Sequence, residues 1–282
     1  METIFAQVVA DAWRVAPDDV VISLGDTGGI AIGFGTIASR TTVTLSAAIH
    51  GASERLRAKV FAIAANALEC APTDLELRQG GVGIVGVPGA ELSLAKVAQA
   101  ARPGWDHGRP AGVDAGLEET YYYEPPTVTW SYAVHAAIVD VDVEIGRIKI
   151  EKYVIAHDCG VMVNPMLVEG QIVGGAVQGI GGALLEAIKY DGQGQPLTTS
   201  FMDYMLPTAR DVPPLHLVHQ HSPSPLNPLG VKGVGEGGPI GPPAALANAI
   251  SDALHPFKVE FNRTPITPRH IREAIRETSR SG

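Results

Sequence analysis

Apolar residues at Ile4, Phe5, Val8, Val9, Ala12 and Trp13 recur at helical spacing and predict an amphipathic helix that begins almost at Met1, with Thr3 available as a cap. No strand or loop precedes it. That start fits an ordinary N-terminal helix, and it also fits a domain whose first half lies on another chain. The β-branched run Val20–Leu24 predicts a short buried strand, followed by a glycine-rich loop over Gly25–Gly35. Thr36–Glu69 then predicts a long helix with Leu56, Val60, Ile63, Ala64 and Ala67 along one stripe. Asp74–Val87 alternates as a hairpin about Gln79-Gly80-Gly81, and Leu92–Ala101 predicts a short helix. The Gly/Pro-rich stretch Arg102–Gly116 reads as a linker, which would divide the chain into lobes 1–110 and 111–282.

The second half carries the clearest β pattern. Tyr132–Val143 and Arg147–Ala156 alternate on either side of Glu144-Ile145-Gly146, a hairpin with glycine in its turn. His135 on the first strand reads as a packed or edge histidine. The second strand leads to His157-Asp158-Cys159-Gly160 and then to a helix capped by Asn164, with Pro165 at its first position. Glycines at 170, 174, 175, 179, 181 and 182 each cost that helix roughly 1 kcal/mol relative to alanine. They imply close packing against its backbone. Gln171 and Gln178, seven apart on nearly one face, suggest a polar ligand beside it. Leu215–Gln220 predicts a strand; its His219 and the nearby His221 lack a third ligand at metal spacing. Leu229–Leu254 begins as a glycine-rich loop bearing Lys232 and Glu236 and becomes a helix at Pro242 or Pro243. Thr267–Thr278 predicts a last amphipathic helix. The sum is an α+β (mixed α/β) fold.

Composition narrows the partners. The chain of 282 residues is 45% apolar and 18% charged, with net charge −9. No basic run interleaves with aromatic residues, so nucleic acid and anionic membrane surfaces are poor partners. No apolar run is long enough for a membrane span, no signal peptide is visible, and cytoplasm is the default location. Two cysteines, Cys70 and Cys159, are too few for an iron–sulfur cluster of the usual four thiolates.

The candidate chemistry lies in polar, glycine-lined segments. Hydroxyls and an arginine at Ser39, Arg40 and Thr41 suit either an anion site at a helix N-terminus or simple capping. No G-x-G-x-x-G follows a strand and opens a helix, the loop G-V-K-G-V-G-E lacks the Gly-Lys-Ser/Thr of a P-loop, and no G-x-S-x-G is present. Amides, backbone N–H groups, Lys232 and Arg40 suit an extended ligand carrying phosphates. Glu236 is the acid among them, on a loop expected to be buried. Desolvation would raise its affinity for a proton and fit it to act as a general base.

Three strings in the chain, D-C-G-x-x-x-N-P-x-x-V-E-G-Q-I-x-G-G-x-x-Q-G-I-G, F-M-D-Y-x-L-P-T-A and G-V-K-G-V-G-E-G-G-x-I-G-x-P-A-A-x-A-N-A, resemble the molybdenum hydroxylase family. That family comprises xanthine oxidases, aldehyde oxidases and the large subunits of aerobic carbon monoxide dehydrogenases. The resemblance covers essentially the whole chain. It implies a molybdopterin cofactor, in bacteria usually the cytosine dinucleotide, with the metal held through the pterin and by no direct protein ligand. It implies that Glu236 is the base, taking a proton from the oxygen that attacks an electron-poor carbon. Asp158, Cys159, Asn164 and Gln171 match cofactor-contacting loops, as do Val231, Lys232, Gly233, Val234 and Gly235; Ser39, Arg40 and Thr41 match a further cofactor-binding turn. It also implies partner subunits carrying [2Fe–2S] clusters and FAD, and a small-molecule substrate.

Family large subunits are longer, and a G-Q-G-H segment that touches the cofactor normally stands just before E-T, which here is Glu2-Thr3. The expectation is therefore the C-terminal portion of a two-lobed molybdenum-binding subunit, completed by another chain that carries the front half. The front-half loops that contact substrate, including the cysteine-bearing loop of carbon monoxide dehydrogenases, are not in the sequence. G-G-P-I-G-P-P after Glu236 is closer to the hydroxylase pattern, favouring an N-heterocycle, aldehyde or similar C–H substrate over carbon monoxide. A non-catalytic scaffold or assembly protein of the same fold is the reading from another class; Glu236, Lys232 and both glutamines argue against it.

Overall fold

Three helices and a sheet of three short strands carry the first unit, and a sheet of three longer strands with three helices carries the second. The computed structural model describes residues 1–30, 32–104 and 108–281. Unit one comprises Met1–Val128 with Pro225–Gly230, and unit two comprises Thr129–Ser224 with Val231–Gly282.

In unit one, α1 (Glu2–Trp13) lies on α2 (Thr41–Leu68). Trp13 Nε1 donates to Ser53 Oγ at 3.1 Å, and Arg57 Nη2 donates to the Ala12 carbonyl at 3.0 Å. The α2 stripe Val60, Ile63 and Ala64 is buried against Leu75 of β1 (Leu75–Arg78), Val82 of β2 (Gly81–Ile84) and Val97 of α3 (Leu94–Ala100). β1 and β2 form the expected hairpin, with Gly80 at φ +72° in its turn. The helix expected from Leu92 starts two residues later. Glu91–Ser93 instead forms β3, antiparallel to β2, and Ser93 caps α3 by accepting from Lys96 N.

Two other expectations change here. Val20–Leu24 is not a strand: Val21 and Leu24 are exposed, and no ladder partner engages the segment among the described residues. α2 begins at Thr41 rather than Thr36, because Ala38 and Ser39 take left-handed backbone angles (φ 49° and 54°) that a helix cannot contain. Of the glycine-rich loop, Ala31 lies outside the described residues, as do Trp105–His107 of the linker. The rest of that linker belongs to unit one. Gly116 N donates to the Ala101 carbonyl, Asn66 Nδ2 to the Gly108 carbonyl, and Val113 and Leu117 pack on its core. The units accordingly divide at Val128/Thr129 and not at residue 110.

In unit two, β4 (Tyr132–Asp142) and β5 (Arg147–Asp158) pair antiparallel, and β6 (Leu215–Gln220) adds parallel to β5. The hairpin turn follows the sequence: Asp142 Oδ1 accepts from Glu144 N and Ile145 N, and Gly146 sits at φ +73°. Asn164 caps α4 (Pro165–Leu184) by accepting from Leu167 N at 3.0 Å. α5 (Gly241–Ala253) packs on β4 and α4, and α6 (Pro268–Ser281) closes the core. Tyr153, Ile155, Ile172, Ile180, Leu246, Ile250 and Ile271 are among its fully buried residues.

Candidate functional site

The end of β5 and the start of the Glu236 loop are joined by backbone. Gly160 and Val231 form an antiparallel bridge, and Lys232 N donates to the Cys159 carbonyl at 2.7 Å. This brings Asp158, Cys159, Val231 and Lys232 together. The Asp158 carboxylate accepts from Gly160 N (2.8 Å), from Ser222 N (3.3 Å) and from the Ser222 hydroxyl, and pairs with Lys232 Nζ at 3.3 Å. Lys232 Nζ also donates to Ser222 Oγ at 2.7 Å and lies 4.9 Å from the centre of the Tyr132 ring. Burial pushes the Asp158 carboxyl upward, but the Ser222, Gly160 and Lys232 donors outweigh it and hold the group down at about 2. Burial and the neighbouring Asp158 charge push the Cys159 thiol up. Asp158 and Lys232 thus form a mutually satisfied ion pair. Cys159 is a buried, protonated thiol and no nucleophile.

Ser222 escaped the sequence reading. It is 64 residues from Asp158, and the parallel register that sets Asp158 opposite Gln220 brings it there. No local motif announces that partner. Together Tyr132, Val134, Ala156, His157, Asp158 and Ser222 border a depression of about 350 Å³.

The Glu236 loop turns on itself: Gly237 N donates to the Val234 carbonyl at 3.1 Å, enclosing Gly235 and Glu236. Glu236 is exposed, whereas Gly233 is buried and Val234 half-buried. The expectation of a buried carboxylate is therefore corrected. The protein packs the loop through its glycines and leaves the acid outward. A Cβ on Gly238 would stand 2.5 Å from the Ile172 carbonyl and 2.8 Å from Gly175 Cα, so loop and α4 meet backbone to backbone. Gly175 and Gly179 of α4 have the same role from the other side, facing Pro239 and Pro242. Of the loop's glycines, Gly230 takes a positive φ (+69°); close approach accounts for Gly237, Gly238 and Gly241.

The glycines of α4 fall into two sets. Around Gly170, Gly174 and Gly182 an added Cβ would meet nothing within 4 Å. Gly174 lies between Gln171 and Gln178, all three exposed, so a stripe of two amides over bare helix backbone stays open. Asn164 serves as the helix cap.

Ser39, Arg40 and Thr41 lie in unit one. Arg40 is the N-cap of α2 but makes no side-chain capping bond, and its guanidinium stands 6.0 Å from the Phe34 ring. Thr41 does not cap the helix with its side chain. The Thr41 hydroxyl is buried with no hydrogen-bond partner at the first turn of a 28-residue helix. In unit two, His157 is buried with neither ring nitrogen hydrogen-bonded. Burial and the nearby His219 hold it below the usual histidine range, so it is neutral. His219 itself pairs with Glu169 of α4 at 3.2 Å. Among the described residues no group of three or more His, Cys, Asp or Glu side chains could hold a metal ion. No described helix is long and apolar enough to cross a membrane.

Comparison with known proteins gives this geometry a context. The family model of the molybdopterin cofactor-binding domain matches residues 1–213. The chain is 40% identical over 276 residues to the nicotine 6-hydroxylase large subunit of Paenarthrobacter nicotinovorans, covering 98% of this chain and 34% of that protein. It is 36% identical over 252 residues to the carbon monoxide dehydrogenase large chain of Afipia carboxidovorans, covering 89% of this chain and 31% of that protein. Among solved structures, quinoline 2-oxidoreductase from Pseudomonas putida 86 superposes with TM-score 0.90 at 42% identity, over 98% of this chain and 35% of that one. The chain thus spans about a third of the length of these relatives.

Proposed function

The chain belongs to the molybdenum hydroxylase family, as a molybdopterin-binding part of its large subunits, and from that premise we propose that it furnishes the general base and part of the cofactor cradle of a molybdenum-dependent hydroxylase. The substrate of this proposal is a small N-heterocycle or related molecule with an oxidisable C–H bond. Relatives named for nicotine and quinoline, at 40% and 42% identity, support that class over carbon monoxide, whose dehydrogenase matches at 36%.

The residues of this chain fit the cofactor. The orphaned Thr41 hydroxyl at the N-terminus of α2, with Arg40 beside it, suits a phosphate of a dinucleotide form. The open stripe Gln171–Gly174–Gln178 suits a flat polar ring system with hydrogen-bonding edges laid against helix backbone. Val231, Gly233, Val234 and Gly235 would offer main-chain groups from the loop, while Asp158, Cys159, Lys232 and Ser222 hold that loop in place. Asn164 would contribute by fixing the first turn of α4. When bound, the cofactor supplies the two-electron acceptor and the activated, water-derived oxygen. The protein's own step is at Glu236, whose carboxylate oxygen accepts the proton shed as the C–O bond forms. Partner subunits carrying [2Fe–2S] clusters and FAD would take up the electrons, since two cysteines do not hold such a cluster here. The cytosine dinucleotide form and a cytoplasmic setting belong to the same proposal.

The single observation that carries the reading is the acid on a turn fixed by backbone packing within a family fold. In the assembled enzyme, Glu236→Gln is expected to retain molybdenum and pterin while kcat on an N-heterocycle falls roughly 10²–10⁴-fold. Turnover near that of the unaltered enzyme would remove Glu236 as the base.

A further inference from the structure

We propose that His135 is the positioning residue of the Glu236 turn, acting through the Gly237 carbonyl and held in register by Tyr153. The proposal rests on the reading of Glu236 as the base. His135 stands on β4, 102 residues from Gly237 in sequence, and its Nε2 lies 3.1 Å from the Gly237 carbonyl oxygen. A carbonyl only accepts, so Nε2 carries the proton. The other ring nitrogen, Nδ1, lies 3.0 Å from the Tyr153 hydroxyl. Burial keeps His135 below its ordinary range, and burial raises Tyr153 well above the ordinary tyrosine range, so the ring is neutral and the phenol protonated. The directions follow: Tyr153 O–H donates to Nδ1, and Nε2–H donates to Gly237.

Gly237 closes the turn with its N–H to Val234 and is fixed by its C=O to His135. Both of its backbone groups are therefore committed, one residue from the proposed base. Sterics reinforce the bond. A Cβ on Gly241 would stand 2.3 Å from His135 Cδ2, and one on Gly237 would stand 2.3 Å from His157 Nε2. The loop rests on the edges of two imidazoles, His157 buried and His135 half-buried, and glycine at 237 and 241 is what lets it settle there. This platform fixes the backbone that carries Glu236. A histidine that merely filled core volume would need neither the donor at Nε2 nor the phenol behind Nδ1.

The test uses the assembled enzyme with three variants and two readouts: steady-state kinetics, and hydrogen–deuterium exchange of the peptide spanning 231–241. His135→Ala is expected to lower kcat roughly tenfold to hundredfold with KM nearly unchanged. Exchange in the loop should quicken roughly fivefold, as one hydrogen bond is lost. His135→Gln, which keeps a donor for the carbonyl, should recover most of both. Tyr153→Phe preserves core volume and should give intermediate values, which keeps the test valid if the alanine variant folds poorly. Loop exchange and kcat unchanged in His135→Ala, or a glutamine variant no better than alanine, would overturn the proposal. If Glu236→Gln remains active, the base assignment fails, whereas the exchange data still decide the role of His135.

Discussion

At the residue scale, the best-determined electrostatic feature is Asp158, because four donors converge on one carboxylate. Its folded-state value of about 2 lies below the ordinary carboxylate value, roughly 3.9. A group depressed on folding contributes stability that is fully present above its unfolded value and is lost as pH falls through the folded one. Unaltered protein should therefore lose this contribution between about pH 5 and pH 2. Asp158→Asn should be less stable by roughly 3–5 kcal/mol near neutrality, since it leaves the buried Lys232 ammonium without its anion. That deficit should shrink towards pH 2. Denaturant melts of both proteins across this range check it, and parallel stability curves would contradict the assignment. Glu236 is the opposite case. The motif suggests its proposed chemistry but not its environment, because the burial of one side chain depends on what is packed around the loop.

At the element scale, the question is what six glycines do in a 20-residue helix. Gly179→Ala would place Cβ 2.7 Å from the Pro239 carbonyl and 2.8 Å from Pro242 Cγ, neighbours that cannot swing aside. It should cost roughly 1–3 kcal/mol by overpacking and should also displace the Glu236 loop. Gly182→Ala meets nothing within 4 Å and should gain up to about 1 kcal/mol from helix propensity. Urea unfolding of the two variants should move in opposite directions; the same sign for both would refute the division of this helix into a packed set and an open set. The need for close packing on α4 was readable from glycine content alone. Which glycines faced Pro239 was not, since that depends on a loop some sixty residues away. Local signals served well elsewhere: Gly146 in its turn, Asn164 with Pro165 at a cap, the alternation of β4 and β5. They failed where context decides. Val20–Leu24 has strand composition but no partner edge, and Leu92 has a helical neighbourhood but pairs with Val82. His135, legible only as a packed histidine, owes its place under the loop to α5 packing on β4.

At the scale of the whole molecule, the exposed apolar surface and the proposed function point the same way. The face of the β4–β5–β6 sheet turned away from α5 exposes Tyr132, Val134, Ile138 and Val218, a contiguous apolar band of the kind that marks an interaction surface. Glu236 and the open stripe on α4 are likewise exposed, and their proposed use requires something laid over them. The relatives devote about two thirds of their length to sequence beyond the part matched here. Cofactor binding by such divided surfaces is cooperative, because each part alone offers few of the contacts and bears the full ordering cost. The chain of 282 residues, purified by itself, is therefore expected to hold well under a tenth of an equivalent of molybdenum. Supplied with the remainder of a large subunit and the proposed [2Fe–2S] and FAD partners, it should approach one equivalent. Metal analysis beside a mass-spectrometric inventory of co-purifying chains measures both quantities at once. Full molybdenum on the isolated chain would show that its own residues enclose the cofactor, and the exposed band on the sheet would then need another occupant.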